Sequence, residues 1–406
     1  METIVNNEDL LTEILILLPI KSLLKFMSVS KHWLALISSY PFSIRRSSNL
    51  NSVGAVLVQV DKTPHFRLLN LDSSNSDSLA ANFFASNKPF SKTKILQSCN
   101  GLLLCCDDSP PPKYFHRFYI KKDDIYTSKK YCVWNPTSKK YTLLPPLLPL
   151  PCSLRGILFL RGITLAFDPS KSLEYKVVAV CQCVLFENCY QIQIYSSKAR
   201  TWRVSVRSFN PQYPVDFLRG VFYNGTIHWG SDVGCFRKIW SVSDLCFRSE
   251  DWSGSNLYFD IDQEKLKTLQ MPRVRARASC ESSLVNCFEV SGGGRLLLVR
   301  KYKTASDPQI DVYQLHRDFS GWFLKYRLDL PDRFDEYRNV LFVGSGNDKD
   351  SLILVDANWL SIIRKYNLKD KSFEGSNIGW FNLRSAYYSN NLKAKVLHYI
   401  ESLACV

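Results

Sequence analysis

At 406 residues the chain is long for one ordinary domain and leaves room for a small domain beside a large one. Its 46% hydrophobic, 22% charged and 13% aromatic residues exclude a disordered chain and indicate a folded globular protein. The net charge of +15 invites a nucleic-acid or acidic partner, but the basic residues are spread through turns such as Ser138-Lys139-Lys140 and Ser197-Lys198-Ala199-Arg200. The one denser run, Arg273-Val274-Arg275-Ala276-Arg277, alternates and reads as an extended segment with a basic face. No helix-turn-helix, zinc-finger or RNA-recognition signature accompanies it, so nucleic acid is not expected as a partner.

The chain opens on acidic residues, Glu2, Glu8 and Asp9, the reverse of a secretory signal, so a cytoplasmic or nuclear location is expected. Glu8 and Asp9 suit a helix N-terminus, and Leu10, Leu11, Ile14, Leu17 and Leu18 follow at helical spacing. Thr12 and Glu13 interrupt this run and Pro19 closes it, which makes it too short and polar to cross a bilayer, and no membrane partner is expected. Pro19 ends the first helix and opens a second that carries Leu23, Leu24 and Met27. Ser30 is a suitable N-cap for a third, in which Trp33, Leu36 and Ile37 share a face, and Tyr40-Pro41 is expected to stop it. Three short helices can bury only a thin core. The further apolar residues Ile16, Ile20, Leu23, Phe26 and Val29 exceed one inward stripe, so part of this surface must meet either the rest of the chain or another protein.

From about Gly54 onward the pattern becomes short apolar segments separated by polar turns, the signal of β-strands. A hairpin of fixed form recurs: apolar strand, aromatic, polar turn, basic residue, second strand. It is read at 131–141, 192–202 and 257–266, more loosely at 310–324 and 362–373, with an early copy at 66–70. A second hairpin type precedes several of these, in "SCNGLLLCC" at 98, "GVFYNGTIHWG" at 220 and "GGGRLLLVRK" at 292. Two hairpins make four strands, and the landmarks Trp134, Tyr195, Phe259, Tyr313 and Tyr366 recur at a spacing near that of four-stranded propeller blades. The expected fold is mainly β: a helical unit over 4–45, then a large propeller-like all-β domain over 54–395, with a β-sandwich as the alternative.

Two family resemblances follow from these residues. The run 9–42 resembles an F-box, through Leu-Pro-Ile-Lys-Ser-Leu at 18–23, Val29-Ser30-Lys31, Trp33 with Leu36-Ile37, and Pro41-Phe42. Where F-boxes commonly open with Leu-Pro this chain has Asn6-Asn7, and where they commonly have Cys it has Ser30. The resemblance implies that Leu10, Leu11, Ile14, Leu18, Pro19, Ile20, Leu23, Leu24, Val29 and Trp33 build the face for a Skp-type adaptor, which would bring cullin and RING subunits. The segments "SCNGLLLCC", "VWNPTSKKYTLLP", "AFDPSKSLEYKVVAV", "QIQIYSSKARTWRVSV" and "GVFYNGTIHW" resemble the F-box-associated domain of plant F-box proteins. That likeness implies a non-catalytic substrate receptor of an SCF-type ubiquitin ligase, with the β domain recruiting a target protein. Its specificity would lie in connections such as 107–130, 207–218 and 230–256, where Phe236, Arg237 and Trp252 are candidate contact residues. A basic nucleic-acid-binding β protein with a helical cap and a non-degradative adaptor-bound scaffold are the alternatives.

Chemistry by the chain itself finds little support. The six His residues stand far apart, and the thirteen Cys, an odd number, read as reduced and mostly buried thiols. The close group Cys181, Cys183 and Cys189 lacks a second ligand pair, and neither a metal nor a cofactor is expected. The triple glycine at 292–294 precedes a strand rather than a helix, unlike a phosphate loop. His228 with Asp232 could be imagined as a catalytic pair, but strand alternation sets His228 and Trp229 on opposite faces and no Gly-x-Ser-x-Gly motif is present.

Overall fold

The computed structural model describes residues 7–49, 55–60, 66–70, 88–109, 125–126, 129–149, 159–182, 189–213, 215–230, 255–272, 284–291, 294–302, 309–329, 337–343, 351–356, 363–373, 394–400, 402–404 and 406. The basic run 273–277 and the candidates Phe236, Arg237 and Trp252 lie outside these residues.

Four helices come first: α1 (Glu8–Ile16), α2 (Ile20–Phe26), α3 (Lys31–Ile37) and α4 (Tyr40–Asn49). Asn7 caps α1, its Oδ1 accepting from the Leu10 amide at 3.2 Å, while Glu8 and Asp9 occupy the electropositive first turn. At the other end Arg46 of α4, buried, donates from Nη1 to the carbonyls of Ile16 and Leu18, both at 2.8 Å. These carbonyls have no partner within α1, so the arginine both satisfies them and complements the helix dipole. Ser30 caps α3 as expected, with Oγ accepting from the Trp33 amide at 3.1 Å. The expected stop at Tyr40-Pro41 is instead the start of α4. A proline in the first turn loses no intrahelical bond, and Ser39 Oγ accepts from the Phe42 amide at 3.3 Å to begin the helix.

The strands form six antiparallel sheets among the described residues, four of them four-stranded. The first joins β1 (Ala55–Val60) and β2 (Phe66–Asn70) to β24 (Ala394–Tyr399), from the far end of the sequence. The second contains β3 (Thr93–Cys99), β4 (Leu102–Asp107), β6 (Tyr131–Asn135) and β7 (Lys140–Leu143). The third runs from β8 (Phe159–Ala166) through β9 (Lys176–Gln182) and β10 (Tyr190–Ser196) to β11 (Thr201–Phe209), with the short β5 (Ile125–Tyr126) added beside β8. The fourth orders β12 (Val221–Tyr223), β13 (Thr226–Trp229), β14 (Ser255–Asp260) and β15 (Lys265–Gln270). The fifth orders β16 (Leu284–Val290), β17 (Leu296–Tyr302), β18 (Gln309–Leu315) and β19 (Trp322–Asp329). The sixth orders β20 (Tyr337–Val343), β21 (Ser351–Asp356), β22 (Ile363–Asn367) and β23 (Ser372–Phe373).

Each sheet packs on the next, and β20 of the last lies against β24 of the first, so the sheets close a ring rather than a sandwich. β24 continues past the expected boundary at 395 to Tyr399, pairing with β1 along its whole length. Apolar clusters fill the spaces between neighbours: Leu103, Cys105 and Trp134 face the first sheet, while Leu102, Leu104 and Val133 face the third. A sheet covered on both faces needs no polar alternation, which is why "LLLCC" runs unbroken.

Both recurring hairpins have a conformational basis. Asn100-Gly101 and Asn224-Gly225 each hold two successive positive φ angles, 47° and 89°, then 43° and 81°, the tight turn that Asn-Gly favours between antiparallel strands. In the outer hairpins the residue before the last strand is left-handed: Lys139 at 60°, Arg200 at 55°, Glu264 at 54° and Lys371 at 50°. Asn135, Asp260 and Asn367 each end the preceding strand and accept backbone N–H bonds from their own turn.

Candidate functional site

The helical module divides its apolar residues between inside and outside. Leu11, Leu15 and Ile16 of α1 meet Leu23, Ile37 and Phe42 in a closed core, with Phe26 and Trp33 packed edge to face at 5.2 Å. That core uses one stripe of α1. The other, Leu10, Ile14 and Leu17 at i, i+4 and i+7, faces outward at 43%, 43% and 81% exposure, with Val29 at 61% in the turn after α2 and Leu34 at 44% on α3. A helix apolar on both sides, in a module covered on one, leaves a surface suited to a partner.

The ten expected docking residues therefore separate by position. Leu10, Ile14, Pro19 and Val29 are exposed, and Leu18, Leu24 and Trp33 are half-buried. Leu11, Ile20 and Leu23 lie inside at 3%, 3% and 0%, within the module's own core. Leu17 and Leu34 belong to the outward set and were absent from it on sequence grounds, although Leu17 continues the spacing of Leu10 and Ile14. Near this surface Arg45 pairs with Glu13, linking α4 to α1.

The module sits on one face of the ring. Tyr40 Oη donates to the carbonyl of Lys171, in the turn between β8 and β9, at 2.8 Å. Because strands alternate in direction, this face collects the short turns, among them Asn100-Gly101, Asn135–Lys139 and Asp168–Lys171. The strand ends that flank 107–130, 207–218 and 230–256 point to the opposite face.

Of the sites considered for chemistry, His228, Cys181 and Cys189 are among the described residues, and His228 and Cys181 are buried within sheets. His228 is fully buried in β13, accepts at Nδ1 from Asn256 Nδ2 at 3.1 Å, and donates from Nε2 to Thr226 Oγ1 at 2.8 Å. The Thr226 hydroxyl in turn donates to the Tyr223 carbonyl at 2.6 Å. Burial pushes the imidazole pKa down to about 3, so it stays neutral in a cluster with the rings of Tyr258 and Phe319. Asp232 lies outside the described residues. Burial pushes the thiols of Cys99 and Cys181 up to about 12, which keeps them protonated and poor nucleophiles. Among the described residues no group of three or more His, Cys, Asp or Glu could hold a metal, and no helix is long and apolar enough to cross a membrane.

Comparison with known proteins bears on both parts of the chain. Residues 7–45 match the family model described as F-box domain, and residues 56–404 match that described as F-box associated beta propeller domain. F-box protein At5g07610 of Arabidopsis thaliana is 27% identical over 401 residues, covering 90% of this chain and 84% of that protein. F-box protein At5g03970 of the same organism is 24% identical over 250 residues, covering 54% of this chain and 52% of its own length. Among solved structures, oligogalacturonate lyase in complex with manganese overlaps at a TM-score of 0.41 and 8% identity, over 80% of this chain and 73% of that one, too distant to transfer any chemistry.

Proposed function

The chain belongs to the F-box proteins that carry an F-box-associated β-propeller domain, and from that premise we propose that it is the substrate-recognition subunit of an SCF-type ubiquitin ligase. The F-box docks a Skp-type adaptor, which links it to cullin and RING subunits, and the propeller recruits a target protein in the cytoplasm, the nucleus or both. The observation that carries this reading is the outward stripe Leu10, Ile14 and Leu17 with Val29 and Leu34, apolar surface that the chain leaves uncovered. The target is held on the ring face opposite the helices, where the longer connections emerge.

The subunit supplies no reacting group. Holding a target lysine beside the ubiquitin thioester raises its effective concentration, so receptor affinity and geometry set the rate. The test is co-purification with a Skp-type adaptor of the unaltered chain and of Leu17→Asp, with circular dichroism as the folding control. A stoichiometric complex lost in the variant is expected. An unaltered chain that forms no complex, or a variant that binds equally well, would overturn the proposal.

A further inference from the structure

The segment that follows β24 passes between the helical module and the ring and touches both. Leu403 packs against the helical core that holds Leu23 and Ile37, while Ala404 and Val406 pack with the cluster between the second and third sheets. Asn135, fully buried at the end of β6, donates from Nδ2 to the carbonyls of Ser402 at 3.0 Å and Ala404 at 2.7 Å. Its Oδ1 meanwhile accepts from the Thr137 amide at 2.9 Å, so one amide side chain fastens the segment and shapes its own turn. Thr137 Oγ1 also accepts from the Ser402 amide at 3.4 Å and bonds Tyr399 Oη at 2.9 Å. On the other side a Cβ built on Gly101, whose φ is +89°, would stand 2.3 Å from Ser402 Cβ and 2.6 Å from the Ile400 carbonyl oxygen. Backbone approaches this close only where glycine stands. Ile20 and Arg46 of the module meet Asn100 and Pro169 of the ring around a cavity beside this segment.

We infer that the stretch contributing Ile400, Ser402, Leu403 and Ala404 is a splint that fixes the direction of the F-box relative to the ring, and that Asn135 is the positioning residue that seats it. Without such a tie, two domains joined by a short connection move relative to one another by default. The splint makes the direction from adaptor face to target face a property of the folded chain. Its functional consequence rests on the ubiquitin-ligase reading, but the geometry does not.

Asn135→Asp separates the two jobs of that side chain. A carboxylate caps the turn as Asp260 does at the equivalent place in the fourth sheet, yet cannot donate to the Ser402 and Ala404 carbonyls and instead repels them. Leu403→Ala loosens the same segment from the helical side without touching the ring. Fluorophores on non-natural amino acids at exposed Lys31 of α3 and Lys369 of the ring report the distance distribution in the full chain. The unaltered chain is expected to give one narrow distribution that broadens about twofold in each variant, with ring melting preserved. A broad distribution in the unaltered chain, or one unchanged in both variants, would overturn the inference. If Asn135→Asp lowers ring melting, Leu403→Ala alone decides. Adaptor co-purification in parallel reads the functional proposal separately: its failure with a narrow distribution sinks that proposal and leaves the splint.

Discussion

The F-box and the ring use apolar residues in opposite ways. In the ring each sheet is covered by its neighbours, and residues such as Leu103, Val133 and Val178 are wholly buried on one side or the other. In the F-box one face of α1 is buried and the other is left bare, with Leu17 at 81% exposure. On the function proposed above, a self-covered ring would carry recognition in its connections, whereas a half-covered helical unit would carry it on the bare face of its helices.

The sharpest way to break this contrast is Leu23→Asp, which places a charge in the closed side of the F-box. It should cost about 3 kcal/mol or more and melt the helices while the ring's β signal in circular dichroism persists. A ring that melts together with the helices would make the two regions one cooperative unit. Leu17→Asp tests the bare side: stability should change by about 0.5 kcal/mol at most, while adaptor affinity falls by about tenfold or more in a calorimetric titration. Equal losses in both quantities would mean that the stripe is structural.

The ring's burial has its own signature in pH. His228 has a folded pKa lowered to about 3 against an ordinary 6.5, so between these values only the unfolded chain takes up the proton. Stability should be full above about pH 6.5 and fall by up to about 1.4 kcal/mol for each unit below it. Urea unfolding at about pH 7.5 and about pH 5 should show this loss, and His228→Gln should flatten it. The smallest effect belongs to the surface pair that links the third and fourth sheets. Arg203 and Ser205 hydrogen-bond to Glu264 and hold its carboxyl down at about 2. Both charged partners are partly exposed, so Arg203→Ala should cost less than about 1 kcal/mol in thermal melting, and less still in high salt.

What the sequence made legible was local. Ser30 announced α3 because an N-cap acts within three residues, and each Asn-Gly or left-handed turn announced its hairpin within ten. Pro41 misled because the same residue that ends one helix can open the next, and only the Ser39 bond to Phe42 distinguishes the two. The pairing of β1 with β24 had no local mark, since both are ordinary apolar strands and their register is set by tertiary packing. The division of Leu11 from Leu10 likewise depended on which side of α1 the later helices cover. Asn135 looked like one turn residue among several; its second role appears only when Ser402 and Ala404 arrive beside it.

The closure of the first sheet by β24 also governs how the protein is made. The ring cannot be completed on the ribosome until the last strand has emerged, although β1 and β2 are among the first strands synthesised. Throughout that interval the apolar edge of Ala55–Val60 lacks its partner and is open to pairing with other nascent chains. A chain that stops short of β24 therefore keeps the β1 edge unpaired on that side and is expected to aggregate more readily than the full-length chain.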